Sequence, residues 1–96
     1  MRALWPFRDP PNVAVFTLKR IVAGGSPILL VKHDSDDGAW QFLDGDVIAE
    51  RDAAVVSLQS VVLHDNTLAQ LADLPVGWVA WRDTPAAPWE RSSAAQ

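Results

Sequence analysis

Apolar and polar positions alternate most clearly between Ile28 and Gly45, ILLVKHDSDDGAWQFLDG, and this stretch organises the rest of the chain. The apolar run Ile28 to Val31 leads into a polar connector, His33 to Gly38, and Ala39-Trp40-Gln41-Phe42-Leu43 leads out. The pattern predicts a β-hairpin. Asp and Ser side chains in the connector bond nearby amides, and Gly38 supplies positive φ without steric cost. Strand alternation then puts Trp40 and Phe42 on the core side and Gln41 on the other.

Before the hairpin, Val13 to Phe16 reads as a strand. Thr17 stands where an N-cap would precede a short helix, Leu18 to Ala23, stopped by Gly24-Gly25. A continuous strand is the rival, because Thr17, Ile21 and Val22 are β-branched and the segment is barely two turns long. After it, Asp44-Gly45-Asp46 makes a second turn, followed by a charged loop to Asp52, with Val47-Ile48 a possible strand extension. Ala53 to Val56 is a fourth strand, and Ser57 caps a helix with Leu58, Val61 and Val62 at helical spacing. Asp65 caps a second helix carrying Leu68, Leu71 and Ala72, which Pro75 ends. Pro75 and Gly77 turn the chain into a last strand, with Trp78, Ala80 and Arg82 on one face and Val79 and Trp81 on the other.

These elements predict an α+β fold: one small domain over residues 13 to 91, with a mainly antiparallel sheet of four or five strands and two or three short helices. Residues 1 to 12, broken by Pro6, Pro10 and Pro11, read as an irregular arm that Trp5 and Phe7 anchor. Residues 92 to 96 read as a disordered tail. A chain of 96 residues buries only about 60 to 65% of its unfolded surface, so the five tryptophans are a large share of the available apolar area.

Charge changes the picture along the chain. Residues 1 to 32 carry five basic and one acidic residue, residues 33 to 52 one basic and seven acidic, and the remainder two basic and four acidic. The acidic middle disfavours nucleic acid and anionic membranes and suits a basic protein surface. Its candidate contact residues are Asp34, Asp36, Asp37, Asp44 and Asp46. No apolar run is long enough for a signal peptide or a membrane span, and cysteine is absent, which together suggest a cytoplasmic setting.

The chemical motifs argue for binding over catalysis. His33-Asp34 and His64-Asp65 are too few to build a metal-dependent phosphohydrolase centre, which needs further ligands. Asp34-Ser35-Asp36-Asp37-Gly38 lacks the spacing of a calcium loop, whose glycine is sixth and whose glutamate is twelfth. Gly24-Gly25-Ser26-Pro27 is a turn and not a nucleophile elbow, and no phosphate-binding glycine loop is present. Neither a metal, a cofactor nor a catalytic residue is expected.

Three blocks carry a resemblance: HDSDDGAWQFLDG, Asp65 to Pro75 (DNTLAQLADLP), and Gly77-Trp78-Val79-Ala80-Trp81-Arg82. Together, over about residues 13 to 91, they resemble a family of small bacterial proteins of unknown function. That family has an acidic hairpin ending in Trp-x-Phe and Gly, then Asp-Pro-Ser-Leu at a helix start, Leu-Pro-x-Gly-Trp, and a tryptophan near the C-terminus. Asn66 stands where the family often has proline, a departure that the first helical position tolerates. The family is distantly similar to immunity proteins of bacterial polymorphic toxin systems, which bind and neutralise a cognate toxin. The resemblance therefore implies a protein-binding module, immunity-like or regulatory. The alternatives are an enzyme using a histidine and a carboxylate brought together by the fold, and a small-molecule binder with an aromatic pocket. A deep pocket holding His33 or His64 beside a carboxylate favours the enzyme; an acidic face favours the partner.

Overall fold

A computed structural model describes residues 4 to 94. Its strands are β1 (Ala14–Leu18), β2 (Leu30–His33), β3 (Trp40–Leu43), β4 (Ala53–Ser57), β5 (Trp78–Trp81) and β6 (Glu90–Ser93). Two helices, α1 (Lys19–Val22) and α2 (Leu58–His64), and 3-10 turns at Glu50–Asp52 and Asn66–Leu71 complete the α+β domain. The strands form one sheet in the order β4-β1-β3-β2-β5-β6. Every neighbouring pair is antiparallel except β1 with β3.

Register fixes the faces. Val31 lies opposite Phe42 and Ala80, and Val15 opposite Val56, so alternation puts Val15, Thr17, Trp40, Phe42, Val31 and Ala80 on one side. All six are buried there, and the five apolar ones form one cluster with Leu58 and Val61 of α2 and Leu68 and Leu71 of the 3-10 helix. Phe16, Lys32, Gln41, Val79 and Trp81 fall on the other side and are all half-exposed. The expected split of Trp40 and Phe42 from Gln41 is present: the rings are 3% and 0% exposed, and Gln41 reaches Asp34 instead.

Both helix starts after β4 follow their caps. The Ser57 hydroxyl accepts from the Ser60 amide, and the Asp65 carboxylate accepts from the Thr67 amide and hydroxyl. Asp65, however, opens a 3-10 helix. The expected arm is irregular over residues 4 to 12, with Phe7 buried against Trp40; residues 1 to 3 lie outside the described residues.

Three expectations need correction. Thr17 is no cap: β1 continues through it to Leu18, and its buried hydroxyl donates to the Phe42 carbonyl of the parallel neighbour. The helix therefore begins one residue later than expected, at Lys19. Val47 and Ile48 are exposed loop, since the chain turns away from the sheet at Asp44. The tail expected from residue 92 begins inside β6, a sixth strand, because β5 supplies ladder partners for Glu90 to Ser93; residues 95 and 96 lie outside the described residues. Among the described residues no helix is long and apolar enough to cross a membrane.

Candidate binding surface at the hairpin tip

The β2–β3 hairpin closes on residues 34 to 39. The Asp34 amide donates to the Ala39 carbonyl at 2.8 Å, and the Gly38 amide donates to the Asp34 carbonyl at 3.0 Å. Asp37 accepts from the Ala39 amide at 2.9 Å, and Gly38 takes φ +72°, a value a Cβ would oppose. Asp34 accepts from the Gln41 side chain at 2.8 Å. Asp36 is exposed and makes no hydrogen bond or ion pair among the described residues.

Behind the tip, the His33 ring stacks on Trp40 with centroids 3.8 Å apart and planes 12° from parallel. Its Nδ1 lies 2.7 Å from the Leu74 carbonyl, which can only accept, so Nδ1 carries the proton. Trp40 in turn donates its indole N–H to Asp9 at 2.9 Å. His33 is the shared wall of two open-sided clefts. One, of about 220 Å³, runs from Lys32 and Ser35 to Gly77 and Trp78; the other, of about 340 Å³, is bounded by Arg8, Asp9, Asp73 and Pro75. The first is smaller than the usual range for small-ligand sites and the second is at its lower limit. Asp9 lies in the larger cleft beside His33, but one of its oxygens is committed to Trp40. His64 is exposed and shares an open-sided cleft of about 470 Å³ with Asp65, whose two carboxylate oxygens are already bonded to Thr67 and Arg82. No group of three or more His, Asp or Glu side chains among the described residues is arranged to hold a metal ion.

The five candidate carboxylates do not share one surface. Asp34, Asp36 and Asp37 sit at the tip, whereas Asp44 and Asp46 follow the far end of β3, whose four residues span roughly 13 Å at about 3.3 Å per residue. Asp44 serves the fold. Arg20 reaches it with Nε at 2.6 Å and Nη2 at 2.9 Å, Ser26 donates at 2.7 Å, and the side chain is 4% exposed. Arg20 also bonds Asp52 and the Val47 carbonyl, which ties the loop after β3 to α1. Asp46 is exposed and caps its own turn through the Val47 amide.

The sequence does not show the Arg20–Asp44 pair, because the contact joins residues 24 apart and no local spacing encodes it. The ion pairs among the described residues use Asp44, Asp52, Asp65 and Asp73. Among the described residues Asp34, Asp36 and Asp37 have no cationic partner, whereas Asp46 adds to the negative field that favours the charged Arg20.

Two carboxyl groups are held below the usual carboxylate range. For Asp44 the hydrogen bonds from Arg20 are the main cause; they outweigh the opposing effect of burial, and Ser26 and the Asp46 amide assist. For Asp65 burial pushes upward most strongly, but Thr67 and Arg82 together prevail. A folded-state pKa below the unfolded value adds stability that is complete above the ordinary value of about 3.8 and is lost as pH falls through the folded value. The melting temperature is therefore expected to hold between pH 7 and 5 and to decline progressively below pH 4. Asp44→Asn should melt lower at pH 7 and show a shallower acid decline. An acid decline as steep as that of the parent chain would remove Asp44 from the explanation.

No family model, no curated protein and no solved structure matches this chain.

Proposed function

We propose that the chain is a non-enzymatic binding module, immunity-like or regulatory, which meets a basic protein surface with the hairpin tip Asp34, Asp36 and Asp37. The observation that carries this reading is the electrostatics of the tip. Three carboxylates project from one short turn, and no lysine, arginine or histidine of the described residues pairs with them. The turn is closed by its own backbone and by Asp37, so the charge sits on a preorganised support. Asp44 belongs to the fold, and Asp46 stands at the other end of β3, so neither joins this contact. The clefts beside His33 are open-sided, one below and one at the lower limit of the usual range for small-ligand sites, which supports a macromolecular surface over a small molecule.

Complementary charge mainly accelerates encounter and makes it salt-dependent. A partner captured from the source cells on the immobilised protein should therefore associate about tenfold more slowly with an Asp34→Asn, Asp36→Asn, Asp37→Asn triple variant. Its association rate should also vary less with salt. The Asn side chains keep the turn-closing oxygens, so the melting temperature should stay near that of the parent. An unchanged rate and salt slope would return the tip to a solvated loop.

A further inference from the structure

The two edges of the sheet differ. β6, Glu90-Arg91-Ser92-Ser93, is charged and polar and follows Pro88, which is the usual protection of an exposed edge. β4, Ala53-Ala54-Val55-Val56-Ser57, has no charge, no proline and an unbroken register with β1 from Ala53 to Ser57. Val55 is 71% exposed at its centre, and no described strand lies outside it.

The backbone of β4 shows what it can accept. The Leu58 amide donates to Val13 of the segment leading into β1, and hydrogen-bonded positions recur every second residue. Ala54 and Val56 therefore turn their N–H and C=O groups toward β1, and Ala53, Val55 and Ser57 turn theirs outward. Two of the outward groups already have partners: the Ala53 amide donates to the Glu50 carbonyl, and the Ser57 carbonyl accepts from the Ser60 hydroxyl at 2.6 Å. Among the described residues, what faces outward without a partner is the Ala53 carbonyl, both groups of Val55, and the Ser57 amide.

We propose that the protein self-associates through β4, antiparallel to β4 of a second copy about a two-fold axis at Val55. In that register Val55 exchanges two hydrogen bonds with Val55 of the other copy, and each Ser57 amide donates to the opposite Ala53 carbonyl. Every unused donor then meets an unused acceptor, and the groups that lack a mate across the axis are those satisfied within the chain. This self-complementarity is the reason to assign the edge to a second copy and not to an unrelated strand. The charged turn Glu50–Asp52 comes to lie alongside the uncharged Gln59 and Ser60 of the other copy, so no like charges oppose each other. On the open face Phe16 and Val55, which are opposite neighbours in the β1–β4 ladder, join their counterparts in one apolar stripe. The interface is separate from the hairpin tip, because β1 stands between β4 and β3, and the pair leaves both tips exposed.

Sedimentation equilibrium of the whole chain from about 1 to 500 μM tests this, together with amide hydrogen exchange at both ends of that range. The expected result is a concentration-dependent dimer in which the Val55 and Ser57 amides gain protection as concentration rises. Val55→Lys sets like charges face to face across the axis, and Val55→Pro deletes a donor that points away from β1. Each should raise the dissociation constant more than about tenfold without altering the circular dichroism spectrum. If one variant unfolds, the other and the exchange data on the parent chain still decide. A monomer at every concentration overturns the proposal, as does a dimer that both folded variants leave intact.

Discussion

Replacing Trp40 by alanine is expected to cost about 3 to 5 kcal/mol, the range for deleting a buried aromatic ring. A domain of this size has roughly 5 to 14 kcal/mol in total, so the variant should sit near the limit of folding. The ring is 3% exposed and joins three groups of the interior. Phe7 of the N-terminal arm meets it edge-on at 5.3 Å, Phe42 stacks at 5.9 Å and His33 at 3.8 Å. Its N–H also holds Asp9. Alanine therefore opens a cavity, releases the arm and removes the hydrogen bond to Asp9 in one step. Trp40→Phe separates these effects, since it keeps one six-membered aromatic ring in the core and loses the donor with the pyrrole ring, and should cost about 1 to 2 kcal/mol. Urea denaturation gives both numbers. A loss below about 1 kcal/mol for Trp40→Ala would mean that the ring is not part of the core, and that the clefts beside it are free to hold a stacked ligand.

How far the sequence revealed this fold depended on the range of the interaction. Trp40 and Phe42 were legible because alternation within one strand is local, and Ser57 and Asp65 because a cap reads amides two or three residues ahead. Thr17 misled because its chemistry suits a cap as well as the buried hydrogen bond it makes to Phe42, 25 residues away. β6 was illegible for a similar reason: Glu-Arg-Ser-Ser has little strand propensity, and its order comes from β5 and from Arg91 reaching Asp73 and the Gln70 carbonyl. The acidic stretch was visible as a charge run, but a run of sequence charge does not say which members are neutralised. Asp44 was separated from Asp36 only when Arg20 and Ser26 came into place around it. The free edge at Val55 had no signature at all before the strand order was known.

Arg82→Ala is expected to destabilise by about 3 to 5 kcal/mol, because removing one member of a buried ion pair leaves the other uncompensated. The side chain is 4% exposed, and all its donors are used. Nε and Nη2 both donate to the Ile28 carbonyl, at 3.1 and 2.9 Å, Nη1 to Thr67 and to the Pro85 carbonyl, and Nη2 to Asp65 at 2.5 Å. The Trp89 ring lies against the guanidinium at 4.1 Å. One residue thus fastens the entry to β2, the start of the 3-10 helix and the segment leading into β6. Lysine has a single ammonium in place of the planar fork, so Arg82→Lys should recover only part of the loss. The coupling distinguishes this network from simple loss of packing. Asp65→Ala alone removes a cap and an ion-pair partner, and the double variant Asp65→Ala, Arg82→Ala should cost less than the sum of the two by at least about 1 kcal/mol. Additive losses in urea denaturation would show that the two residues act independently, and that Arg82 stabilises the chain through its backbone acceptors and Trp89 alone.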